Sequence, residues 1–158
     1  MRLGISYTGL VMLALLFLPN LVWTRYKPEG YDRYVGNENR ILRCLERIGE
    51  ISVSGLCLIF ADFNPGAPGL WSLWLVGAGA LMALYEINWI RYFRSGRTMA
   101  DFYSSLLGIP VAGASLPVLA FFLLAVYGKN LFLGIAVVLL GIGHIGIHLN
   151  HRAELRSV

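Results

Sequence analysis

The chain has 158 residues, of which 57% are hydrophobic and only 14% charged, against about 25% charged in ordinary soluble domains. A water-soluble fold of this size has too little interior to hide so much apolar surface, and with a mean hydropathy of +0.65 lipid is expected to cover part of it. The net charge is +4, from 13 Lys and Arg against 9 Asp and Glu; its distribution along the chain explains it without nucleic acid.

A helix needs about 20 apolar residues to cross the hydrocarbon of a bilayer, and five segments approach that. The first, residues 5–23, is "ISYTGLVMLALLFLPNLVW". Only Arg2 precedes it as a basic flank and no small-residue cleavage site follows, so it reads as a retained span and not a signal peptide. Residues 24–44 form the largest polar piece, an interfacial cytoplasmic segment that is turn-like through "RYKPEGYDRY". From Asn37, the candidate N-cap, "NENRILRCLERIGE" carries Ile41, Leu42, Leu45 and Ile48 at helical spacing. This helix continues into the second span, residues 45–60, which stops at the turn-rich "DFNPGAPG".

The third span, residues 70–92, is rich in Trp and Leu. The fourth, residues 102–127, contains Pro110 and Pro117, and proline bends a membrane helix by removing a backbone bond. Only "GKN" separates it from the fifth, residues 131–150, so the last two should form a tight antiparallel hairpin. Cys44 and Cys57 lie thirteen residues apart on one predicted helix, about 20 Å at 1.5 Å per residue, too far for a mutual disulfide.

With five spans, eleven of the thirteen basic residues fall on one side: Arg25, Lys27, Arg33, Arg40, Arg43, Arg47, Arg91, Arg94, Arg97, Arg152 and Arg156. Arg2 and Lys129 fall on the other. Basic residues stay in the cytoplasm. The expectation is an all-α integral membrane protein of one domain, residues 1–158. It is a five-transmembrane-helix bundle in the cell's inner (cytoplasmic) membrane, N-terminus outside and C-terminus cytoplasmic.

Ionisable groups inside spans are costly and point to function. On span two, Arg43, Glu46, Glu50, Ser54 and Cys57 share one helical face. Arg43 and Glu46 fit an interfacial ladder that solvates the helix start, whereas Glu50 is the deepest charge and the stronger candidate. On span three, Trp89, Arg91, Tyr92 and Arg94 suit the headgroup belt. Glu86 lies deeper and needs a cation, a proton or a metal as partner; Asn88 points away from it. On span five, "GIGHIGIHLNH" places His144, His148 and His151 at i, i+4 and i+7, on one face. Imidazoles four apart on a helix can share an ion while carboxylates from other helices complete the shell. Polar packing and a proton relay are the other readings of the same stripe. Gly134, Gly141, Gly143 and Gly146 thin this helix, and Gly108, Ala112 and Ser115 thin span four, favouring close approach.

These features converge on a pocket in the cytoplasmic leaflet, with Glu50 and Glu86 as catalytic candidates and His144, His148 and His151 as candidate ligands of a divalent metal such as zinc or iron. Such a site suits an enzyme acting on a lipid or other apolar small molecule, surrounded by membrane lipids. A small transporter or ligand-binding protein using Glu and His protonation is the alternative, and a non-catalytic partner subunit a third. No G-x-S-x-G context surrounds the serines, so serine hydrolysis is not expected.

Overall fold

The structure, a computed structural model, describes residues 1–36 and 38–157. Its seven helices are α1 (Tyr7–Trp23), α2 (Tyr31–Val35), α3 (Arg40–Ile59), α4 (Leu73–Arg94), α5 (Met99–Phe102), α6 (Ala112–Tyr127) and α7 (Leu131–Ser157), with two 3-10 turns at Ala61–Phe63 and Leu70–Ser72. The described residues form no strand beyond two isolated bridges, so the fold is an all-helical bundle. Two helices are long and apolar enough to cross a membrane, Leu70–Arg94 with its opening turn and Leu131–Ser157. Helices α1 and α6 are equally apolar but shorter. α3 is amphipathic, because the Arg and Glu residues of its first half interrupt the apolar run.

Local chemistry sets the boundaries. The first helix begins where Ser6 accepts from the Gly9 amide and Asn64, far along the chain, accepts from the Tyr7 and Thr8 amides. Those three donors have no partner within the helix. Pro19 cannot donate to the turn before it, and beside it the Leu16 carbonyl accepts from both Asn20 Nδ2 and the Tyr85 hydroxyl. The cap of α3 is Asn39, whose side chain accepts from the Ile41 and Leu42 amides; Asn37, the expected cap, lies outside the described residues. The expected fourth span is shorter than its sequence suggests. Leu107, Gly108 and Val111 have φ of 52°, 81° and 43°, and Pro110 steers Ile109 away from helical backbone. Residues 103–111 therefore form a loop and the helix starts at Ala112. Pro110 breaks the segment instead of bending it.

The helices pack in a closed ring whose order differs from chain order: α1 touches α3, α3 lies along α7, α7 packs on α6, α6 on α4, and α4 returns to α1. The connections collect at two ends. At one, Arg2 meets Asp62, the Gly66 amide donates to the Tyr127 hydroxyl and Trp71 Nε1 donates to the Tyr127 carbonyl. At the other, Arg97 stacks on Tyr26, and Arg152 donates to Ser105. Buried side chains such as Met82, Leu116 and Leu133 pack between the helices, and the ring encloses a cavity.

Candidate functional site

A cavity of about 530 Å³ occupies the centre of the ring, and all five long helices contribute to its wall. Toward the middle of the bundle it is apolar, with Leu16, Val53, Pro117, Val118, Phe121 and Leu140. Its polar end is closed by α2 and by residues 102–111, through Tyr31, Phe102, Tyr103 and Val111.

Two glycines fix the chemistry there. A Cβ on Gly143 would lie 2.3 Å from the Glu46 amide nitrogen and 2.5 Å from the Leu42 carbonyl oxygen, and one on Gly49 would lie 2.5 Å from Leu140 Cα. The backbones of α3 and α7 are therefore in contact, as small residues permit. That contact sets Glu46 opposite His144, with Oε1 2.6 Å from the imidazole Nδ1. The distance is that of a strong, charge-assisted hydrogen bond.

The stripe continues from this pair. The His144 and His148 rings meet edge to face with centroids 4.5 Å apart, and His148 lies against Tyr103 at 5.6 Å. The Tyr103 hydroxyl is 2.8 Å from Nδ1 of the buried His151, whose Nε2 is 3.6 Å from Glu38 Oε1. A carboxylate thus stands at each end of the histidine stripe. Glu38 in turn pairs with Arg43 at 3.2 Å, and Glu50, half-exposed on the cavity wall, pairs with Arg47 at 3.2 Å. Tyr31 closes this end. Burial first, and then the charges of Glu38, Glu46 and Asp32, push its hydroxyl up to about 12, so it stays a neutral donor.

The expected residues divide accordingly. His144 and His148 line the cavity, and Glu50 joins them at its edge. His151 shares their face but is outside the lining, engaged by Tyr103. Glu86, the other expected catalytic residue, is not brought to the site. It sits about 100° round α4 from Tyr85, which does line the cavity, and its Oε1 is buried without a partner among the described residues. The expected metal centre is not assembled either. Among the described residues no group of three or more His, Cys, Asp and Glu side chains is arranged to hold an ion; Nδ1 of His144 meets Glu46 and Nδ1 of His151 meets Tyr103.

Glu46, expected to belong to an interfacial ladder, is placed on the cavity wall opposite His144. Arg91, expected to reach for headgroups, turns inward. It donates to Asn88 Oδ1 and Ser104 Oγ, both at 2.7 Å, and to the Ser105 carbonyl, which ties the loop that roofs the cavity. Asn88 is correspondingly buried. Comparison with protein families, with curated proteins and with solved structures finds no match for this chain.

Proposed function

We propose that this is a five-span membrane protein that takes an apolar or amphiphilic molecule from the cytoplasmic leaflet into the ring and presents it to the Glu46–His144 pair for proton transfer. The observation that carries the proposal is the cavity itself: apolar along its length, with one tightly paired carboxylate and imidazole at its polar end. A converging polar pair in an otherwise apolar pocket is the usual form of a binding or active site. The chemistry the pair suits is general acid–base catalysis, with His144 as the group that gives or takes the proton and Glu46 as its orienting partner.

The membrane reading rests on two spans of sufficient length, on the two-ended arrangement of connections, and on the eleven basic residues that gather at one of those ends. The cavity opens beside α1, where Phe17 is both part of its wall and 49% exposed. A second reading, proton-coupled transport, is favoured by the run of titratable side chains from Glu46 through the three histidines to Glu38.

Photolabelling in native membranes with an alkyl diazirine tests the cavity. Labelling is expected at Val118 and Leu140 as well as at the outward-facing Ile90 and Ile135, and Ser54→Phe, which fills the lumen, should remove only the inner set. Labelling confined to the outer set would overturn the proposal. In proteoliposomes, an enzyme alters the molecule supplied, whereas a transporter moves it with a change of internal pH.

A further inference from the structure

The polar end of the cavity has a feature that acid–base chemistry does not require. Trp23 and Tyr31 meet edge to face at 4.8 Å, Phe102 stacks on Trp23 at 5.6 Å, and Tyr103 packs on Phe102 at 4.9 Å. The cavity lining holds four carboxylates, Asp32, Glu38, Glu46 and Glu50, against one ammonium, Lys27, and the imidazoles of His144 and His148, of which His144 is paired with Glu46; the charges of Glu38, Glu46 and Asp32 are all felt at Tyr31. The arginines that pair with Glu38 and Glu50 lie outside the lining and are half or more exposed. Seen from inside the cavity, this end is acidic and aromatic.

Lys27 shows what such a place accepts. Its Nζ lies 5.4 Å from the Trp23 ring centroid and 6.0 Å from that of Tyr31, within or at the limit of cation–π reach. Its only ion-pair partner among the described residues is Asp32, at 3.9 Å, and both side chains reach solvent. The ammonium is therefore held loosely, on a flexible stem that can swing out.

We propose that this end of the cavity is a subsite for an organic cation, so that the molecule taken up is an amine- or quaternary-ammonium-bearing amphiphile, and that Lys27 fills the subsite until it arrives. The cationic head replaces the Lys27 ammonium over Trp23 and Tyr31, and the apolar portion runs between Val53, Val118 and Leu140. An anionic head would face the carboxylates with a single lysine to offset them. The inference rests on the reading of the cavity as a site for a molecule from the bilayer, and it adds the chemistry of that molecule's head.

Calorimetric titration of the full-length protein in nanodiscs, with empty nanodiscs as reference, tests it with four probes of one chain length: dodecyltrimethylammonium, dodecanol, dodecyl sulfate and dodecylphosphocholine. The trimethylammonium probe is expected to bind about tenfold more tightly than the alcohol, and the sulfate most weakly. Trp23→Leu should erase the preference for the cation while leaving dodecanol binding unchanged, which separates loss of the subsite from loss of the fold. Lys27→Met should tighten the cation several-fold and leave the alcohol unaffected. Phosphocholine binding as tight as that of the trimethylammonium probe would make a lipid headgroup the source of the cation; weaker binding would make it a free amine. Equal binding of cation, alcohol and sulfate would overturn the cation subsite and leave the cavity reading standing. No binding of any probe would overturn both.

Discussion

The two sides of the cavity are built differently. On the α3–α7 side the backbones touch through Gly49 and Gly143, and the Glu46–His144 pair is held across that contact. On the α1 side the helix meets α3 closely at Gly9, whose hydrogen faces the Cys57 carbonyl, and α4 at the Asn20–Tyr85 hydrogen bond. Between those contacts it offers Phe17, part cavity wall and part exposed surface. One side is fixed by backbone contact; the other, under the proposed reading, is the side that yields to admit a molecule. Precision and access are assigned to different helices.

The largest effect should come from breaking the rigid side. Gly143→Leu places side-chain atoms where the Glu46 amide now sits, and is expected to cost about 3 kcal/mol or the fold itself in thermal unfolding. Ser54→Ala on α3, facing the cavity, should cost well under about 1 kcal/mol.

Next comes the acid–base pair. Glu46→Gln and His144→Gln should each abolish proton transfer while the protein still folds, and a double-mutant cycle should give a coupling of about 1–2 kcal/mol. Glu86→Gln should leave activity intact. Glu86→Leu should be neutral or slightly stabilising, because it removes a buried oxygen that has no partner. Activity lost in Glu86→Gln but kept in Glu46→Gln would reverse the assignment of the site.

On the yielding side, Phe17→Ala should change stability by less than about 1 kcal/mol and speed probe entry severalfold, read as the association rate in stopped flow. An unchanged rate would place the entrance elsewhere.

The smallest effect concerns the attachment of α1. The backbone amide of Arg2, and to a lesser degree its guanidinium, hold the Asp62 carboxyl below its usual 3.8. A lowered carboxyl stabilises the folded state above its unfolded value, and that contribution disappears as pH falls through the folded value. Amide exchange at Gly4 and Ser6, which donate to the Ile59 and Leu58 carbonyls, should therefore rise below about pH 4, and less so in Asp62→Asn, which has already lost the charge. The α3–α7 contact, made by backbone, should show no such step.

How much of this could be read from the sequence follows from what a helix encodes about itself. The three histidines share a face because 3.6 residues per turn puts them there, and their common stripe on α7 needs no tertiary knowledge. The same rule put Glu46 and Glu50 together. Depth along a span was used to rank Glu50 above Glu46 and to select Glu86, but depth says nothing about the neighbour across the gap. That neighbour is fixed by the ring order, in which α3 lies beside α7 although 71 residues lie between the end of α3 at Ile59 and the start of α7 at Leu131. The glycine thinning of α7 was visible; which helix it receives was not. In residues 103–111 the Pro110 signal was present, but the backbone leaves the helix instead of bending, with Leu107, Gly108 and Val111 at positive φ and Arg91 bonded to the start of the loop at Ser104 and Ser105.

The ring order also governs when the site can exist during synthesis. Helices are made in the order α1, α3, α4, α6, α7, yet α7 takes the place between α3 and α6. Until it arrives, Glu46 has no imidazole, the Gly49 face of α3 is uncovered, and the ring has a gap one helix wide. The Glu46–His144 pair thus forms only once α7 has been made, and a chain stalled after α6 carries much of the apolar wall of the cavity with none of its histidines.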